Sequence, residues 1–521
     1  MTEAKKRDLD IYLIFVILAS ILFVAYWVSL TFYKYVSFNE YFWDLGQETY
    51  SMYIHLHNPG LIGGLQFLVF SNHISIFKLL LLPIFAVYQN PMTLVLIQDV
   101  SIGLCAIVAY LIGRDIVKNR FVGLALGIAF LLNPGVRGIA FFDVHIEAFI
   151  PLFLLLSFYF YMRGRRICFI ASYITMLSLV ETAPFVGISF ILAMLLYELV
   201  YVKPRSAAEH SSRKGRIAIL SAAFIITIAF MLFYYYVASS LISAYGRGDY
   251  SAMPPFLKLV NFLSIQVKSL GNLGGVQYSR TAIPYLVLWG ALVMLFGFGL
   301  TGFRNIILTG ILVSPWILEV LVLHNVIFSV LYYHYYAYVV GGALIAATLG
   351  FLIISRGVST RARNIGRRVR ILAALAIVMS FALSAMLLVA LPDLPGLLPT
   401  NWNAVNSYAA VSVMLGSIPH NASVMSQPSI ATHLYRILYV ELPPNESVGG
   451  FTPTGFVNNF NITTYYTVPE YVVVNNHFPD YALFNNTRFN VYSYMAGNYT
   501  LEASAGGFNL YKRVGGASTA T

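Results

Sequence analysis

The chain has 521 residues, 59% of them hydrophobic and only 10% charged, with a formal net charge of +11. Repeated apolar runs of about 20 residues match the hydrocarbon core of a bilayer, which excludes an ordinary soluble enzyme. The two cysteines, Cys105 and Cys168, both lie in apolar runs, so neither a disulfide framework nor a cysteine-based zinc site is available.

Lys5, Lys6 and Arg7 precede the first run, "IYLIFVILASILFVAYWVSLTFY". It is too long for a signal-peptide core, and no small-x-small cleavage pattern follows. It reads as an uncleaved anchor with its N-terminus inside. Eleven spans are predicted, at 11–33, 92–113, 121–133, 148–162, 167–180, 183–202, 217–244, 283–302, 305–323, 327–354 and 371–391. The run "SIFKLLLLPIFAVY" (75–88) is short and carries Lys78 and Pro83, so it reads as a helix lying along the outer interface. Counting it as a span would move "RDIVKNR" and "RGRR" to the outside.

With these spans the cations gather on the inner side: Arg114, Lys118 and Arg120; Arg163, Arg165 and Arg166; Arg213, Lys214 and Arg216; and the run "RGVSTRARNIGRRVR". Such a bias orients a membrane protein, so the positive charge implies lipid headgroups and no nucleic acid. The odd number of spans puts the C-terminus outside. The fold class expected is an α-helical polytopic membrane protein of the cell membrane. A transmembrane domain over 1–391 carries outer loops 34–73, 134–147 and 245–282. A small extracytoplasmic α/β domain follows over 392–521. In it, "ASVMSQ", "RILYVEL" and "YVVVNNH" read as strands and "PSIATHLYR" as a short helix. Every N-x-S/T sequon falls there, at Asn421, Asn445, Asn461, Asn485 and Asn498.

The outer loops concentrate polar chemistry. The first offers Glu40, Asp44, Glu48, His55 and His57, then His73; the second offers Arg137, Asp143, His145 and Glu147. A carboxylate at headgroup depth is partly desolvated, which suits it to general-base work. Transfer of a group from a lipid-linked donor needs such a base, plus a cation or metal for the leaving phosphate. Asp44 is the candidate base. In an extended chain Asp143, His145 and Glu147 share one face and could bind a divalent metal; on a helix His145 turns away. The plainer reading is that Asp143 and Glu147 cap the helix near 148. Glu181, at a turn between spans, and His334, in "LYYHYYAY", are further cavity candidates. Within spans, Asp99 is expected to pair with polar groups of neighbouring helices and Glu198 to reach the inner surface. Loop 245–282 is Gly-rich but lacks the strand-then-helix context of a nucleotide-binding loop, and reads as a connector.

The stretches "WDLG", "NHISIFKLLLLPIFAVYQNPMTLVLIQ", "LLNPGVRGIAFFDVHIEAFIPL", "YYHYYAYVVGGALIAA" and "IPHNASVMSQPSIATHLYRILYVELP", in that order, resemble a family of prokaryotic polytopic predicted membrane proteins of unknown function. That family in turn resembles the GT-C glycosyltransferase superfamily, whose members use polyprenyl-phosphate sugars. The resemblance implies that Asp44 matches the acid of the first outer loop and 75–88 the in-plane helix. It matches Asp143, His145 and Glu147 to an "FDFHPE"-like stretch. Independently of the resemblance, Arg137 and His334 are substrate-binding candidates by position, alongside His73 and Glu181. Two departures stand out: Asn72 replaces a frequent Asp, and Val180-Glu181-Thr182 replaces Lys-Glu-Asp, removing a cation. The function expected is transfer of a sugar from a polyprenyl-phosphate donor to a glycan, lipid or protein acceptor. The alternatives are a scaffold with an outer binding domain, or a transporter or flippase of a lipid-linked substrate. A scaffold predicts that the loop acids do not converge.

Overall fold

A computed structural model describes residues 9–40, 42–57, 68–69, 73–202, 204, 206–244, 303–323, 334–356, 362–390, 402–437, 439–441, 469–477 and 490–514. Loop 245–282, the predicted span 283–302, Asn72, and the sequons Asn445, Asn461 and Asn485 lie outside the described residues. Asn421 and Asn498 are exposed.

The protein is mostly helical. Helix α1 (Ile11–Val36) begins where the Asp10 carboxylate accepts from Leu13 N–H. Its 26 residues give about 39 Å, enough to cross a bilayer. Ile14, Phe15, Leu18, Ile21 and Leu22 are exposed at helical spacing, an apolar stripe suited to lipid. A π-helical turn (Phe42–Gly46) leads into α2 (Gln47–His57), and α3 (Lys78–Val87) is a helix within the run 75–88. Then follow α4 (Pro91–Asp115), α5 (Arg120–Leu131) and α6 (Pro134–Phe141).

The span predicted at 121–133 is a bent pair. The α5 and α6 axes meet at 50°. Pro134 cannot donate to the turn before it, and Asn133 Oδ1 accepts from Gly135 N–H (2.9 Å), starting a new helix. A 3₁₀ turn (Ile146–Phe149) opens α7 (Ile150–Met162), followed by α8 (Arg166–Leu177), α9 (Ala183–Leu196) and α10 (Ala207–Ala244). After α11 (Phe303–Leu323), a 3₁₀ turn (His334–Tyr336) opens α12 (Ala337–Arg356), and α13 (Ala362–Ala390) follows. Helix α12 is the centre of the core: Val339, Val340, Ala343, Leu344, Ala346 and Ala347 are all fully buried. Among the described residues, five helices are long and apolar enough to cross a membrane, or six if the bent pair is one span.

Glu198 and Arg216 form an ion pair. Arg216 grips both Glu198 oxygens (2.8 and 3.1 Å), and Tyr161 donates to the same carboxylate (3.0 Å). Glu198 is therefore a buried ion-pair partner and does not extend to the surface. Asp99 is fully buried, and neither of its oxygens has a hydrogen-bond partner among the described residues, against the expected pairing.

The chain ends in a small sheet. Helix α14 (Trp402–Gly416) precedes β1 (Ser423–Ser426), α15 (Pro428–Ala431), β2 (Tyr439–Glu441), β3 (Tyr471–Val474), α16 (Val491–Met495), β4 (Tyr499–Ala505) and β5 (Phe508–Arg513). The order is β2-β1-β3-β5-β4; β1 runs parallel to β2 and β3, and β5 antiparallel to β3 and β4. Gly506 and Gly507, both at positive φ, make the hairpin between β4 and β5.

This sheet packs onto the loop after α1. Phe38, Tyr50 and Ile54 share a core with Val411, Ile430, Leu434 and Phe508. The His433 ring lies 4.2 Å from Tyr35 and 4.1 Å from Phe38, centroid to centroid. Thr432 Oγ1 donates to Glu40 O (3.4 Å), and α15 lies against the π-helical turn that carries Asp44.

Candidate functional site

Two buried lysines set the floor of the site. Lys34, in the last turn of α1, donates to Asp143 Oδ1 and to Phe141 O (both 3.1 Å) and pairs with Glu40 (3.0 Å). Lys78, at the start of α3, pairs with Glu48 of α2 at 2.8 Å. All these side chains are buried, and a buried charge is tolerable only when paired, so each lysine fixes the loop that supplies its carboxylate. Burial and the neighbouring Asp143 push the Glu40 carboxyl well above the usual range. Burial acts on Asp143 in the same sense, but the Lys34 charge, hydrogen bonds from Glu40 and Lys34, and the nearby His145 together hold Asp143 below that range.

The second loop runs extended through His145 and then enters the 3₁₀ turn, which ends the alternation before Glu147. Its three candidate ligands therefore diverge. Asp143 goes to Lys34, His145 Nε2 meets Asp44 Oδ1 at 3.0 Å, and Glu147 meets His73 Nε2 at 3.1 Å. Among the described residues no three His, Cys, Asp or Glu side chains gather as metal ligands, so the expected metal set is not assembled. Nor does Asp143 or Glu147 cap the following helix.

Each of the two histidines faces acceptors on both ring nitrogens. His145 Nδ1 lies 3.0 Å from Asp143 O, opposite the Asp44 carboxylate, and the His145 backbone N–H donates to Gln98 Oε1 at 2.8 Å. A neutral imidazole has one N–H, so two acceptors require the imidazolium. Burial opposes that charge, but Asp44 and Glu147 raise the His145 pKa to about 9. His73 lies between Glu147 Oε1 (3.1 Å) and Glu181 Oε1 (2.9 Å). Burial again opposes, and the two carboxylates raise its pKa to about 10. The result is a row of alternating charge: Asp44, His145, Glu147, His73, Glu181. His334 stacks on His145 with ring centroids 3.5 Å apart.

The sequence candidates Asp44, His73, His145, Glu147, Glu181 and His334 thus meet at one place. Arg137 lies on α6 near the Tyr26 phenol. Asp143 belongs to the buried ion pair. Openness separates the acids: the Asp44 and Glu181 side chains are 22% and 34% exposed, Glu147 only 2%. Val180, where the resemblance expects a lysine, is fully buried. Two positioning groups escaped the sequence reading. Lys34 falls first in the predicted outer loop 34–73, whereas the helix runs on to Val36, and Gln98 passed as one polar residue inside a span. The available signal was polarity within apolar helices, since a lysine one turn from a helix end needs an anion nearby.

The fold and site together define an integral membrane protein whose loops bring acids and histidines to a partly open carboxylate. The chain belongs to the family described as "Predicted membrane protein (DUF2079)", which matches residues 30–510. No curated protein matches it. Among solved structures, it is similar to the crystal structure of ArnT from Cupriavidus metallidurans in the apo state. The identity is 12%, 95% of this chain and 97% of that chain are covered, and the TM-score is 0.47.

Proposed function

We propose that the protein is a membrane glycosyltransferase that takes a sugar from a polyprenyl-phosphate donor at the outer face. This reading keeps eleven spans, an inside N-terminus and the C-terminal sheet outside. One observation carries it: Asp44 and His145, about 100 positions apart in two different loops, form an ion pair that leaves Asp44 partly exposed. A scaffold gains nothing from that convergence. A transporter needs polar groups along a path through the bilayer, and Glu198 is already bound by Arg216.

In the proposed step the acceptor oxygen attacks the anomeric carbon, and its proton passes to Asp44. The bond from that carbon to the donor phosphate oxygen breaks, and the electron pair leaves with the phosphate. Once Asp44 is neutral, the His145 charge is no longer balanced by it. Positive charge therefore appears in the site as the phosphate gains negative charge. The three expected metal ligands are engaged elsewhere, so no step is routed through a metal.

The test uses full-length protein in bilayers with radiolabelled polyprenyl-phosphate hexoses. Asp44→Asn is expected to lower transfer by about 10²–10⁴-fold, the range for loss of a general base, measured at a temperature where both proteins are folded, because the variant also removes the partner of the buried His145. Full transfer by that variant would remove Asp44 from the mechanism.

A further inference from the structure

We infer that His73 is the positioning residue of this site: a doubly protonated imidazole that clasps Glu181 to Glu147 and presents Glu181 as an acceptor for the hydroxyl groups of a polyol substrate. Three features carry the inference. First, both ring nitrogens face carboxylates, at 3.1 Å to Glu147 and 2.9 Å to Glu181, so neither is left to bind substrate directly. Second, the exposures are graded. Glu147 is 2% exposed, His73 30% and Glu181 34%, so the ring is rooted on the buried acid and holds the open one. Third, the backbone repeats the tie. Ile74 N–H donates to Glu181 Oε2 (2.9 Å), and Phe77 N–H donates to Ser178 O (3.0 Å).

An ionised carboxylate only accepts hydrogen bonds. The Glu181 carboxyl, despite its burial, is held below the usual range by His73. Each oxygen keeps a further lone pair for a substrate O–H, while a phosphate would be repelled. The charged and titratable groups around the His73 ring are Glu147, Glu181, Lys78 on α3 and His334 ahead of α12. The hydroxyl-binding role rests on the transferase reading; the clasp does not.

The test compares full-length wild type with His73→Gln, which loses the charge, and His73→Arg, which keeps it at all accessible pH. Thermal midpoints are recorded from pH 6 to 11, and hydrogen exchange is followed over 74–77 and 178–182. The folded pKa of His73 lies above the ordinary value, so its stabilisation is complete below about pH 6.5 and is lost as pH rises through about 10. Wild type should therefore lose midpoint relative to His73→Arg across that upper limb. His73→Gln should lack the limb and exchange faster in both segments. If His73→Arg is as labile as His73→Gln, or if wild type tracks His73→Arg up to pH 11, the clasp is refuted. Where transfer is measurable, His73→Gln should raise KM for the hydroxylic substrate at least tenfold and His73→Arg should restore it; an unchanged KM refutes the hydroxyl role. A confirmed clasp in a protein that transfers no sugar would reject the transferase reading alone.

Discussion

Replacing Lys34 by methionine would leave the Asp143 carboxylate and the Glu40 carboxyl buried without their cation. Breaking one side of a buried pair costs about 3–5 kcal/mol, so Lys34→Met should lower the unfolding free energy by that amount in denaturant titrations of the solubilised protein. A loss below about 1 kcal/mol would mean that water reaches the pair. The sequence made Asp143 a catalytic and metal candidate because it stands two residues from His145. That reasoning weighed neighbours in the chain, and the partner that decides its role is 109 positions away. Asp44 stands out in the sequence as a loop acid beside a span, and its contact with His145 joins two loops about 100 positions apart. The His73–Glu181 contact spans 108 positions and had no local signal.

At the scale of elements, the turn before α12 is placed by a single small residue. Gly135, in the first turn of α6, lies directly under the Tyr336 ring, with no room for a side-chain carbon. Gly135→Ala must push that ring away and, with it, His334 from its stack on His145. Overpacking of this kind costs about 1–3 kcal/mol. The thermal midpoint should fall, and the His145 ring resonance in histidine-labelled protein should move; a midpoint equal to wild type would show that the turn yields freely. Element types were readable where periodicity was long: α1, α4, α9 and α10 fall on the segments their patterns indicate, as do β1, β2 and β3, whereas β4 and β5 are not among the predicted strands. The bend between α5 and α6 was missed although Asn133-Pro134 announces it, because the apolar run stops there and the span was ended with it.

For the whole molecule, the contact that matters is between the C-terminal sheet and the loop that carries Asp44. His433 is enclosed by Tyr35 and Phe38, and burial depresses its pKa to about 3. A depressed histidine contributes its docking energy fully above about pH 6.5, and loses it progressively as pH falls toward 3. Protease sensitivity of the sheet should therefore rise between pH 6 and 3 in wild type and less steeply in His433→Phe. Equal profiles would place the acid-labile contact elsewhere.

The same docking has a consequence for biogenesis. Thr432 and Glu40 are 392 positions apart, so the wall behind Asp44 is supplied by residues that leave the ribosome long after the loop they cover. Until then Phe38, Tyr50 and Ile54 have no cover, and long-separated contacts are slow to form. A nascent chain can insert its helices early, yet it cannot acquire a finished site before the sheet that covers this loop is made. Premature termination would leave an inserted protein with an exposed apolar loop, a ready mark for membrane proteases.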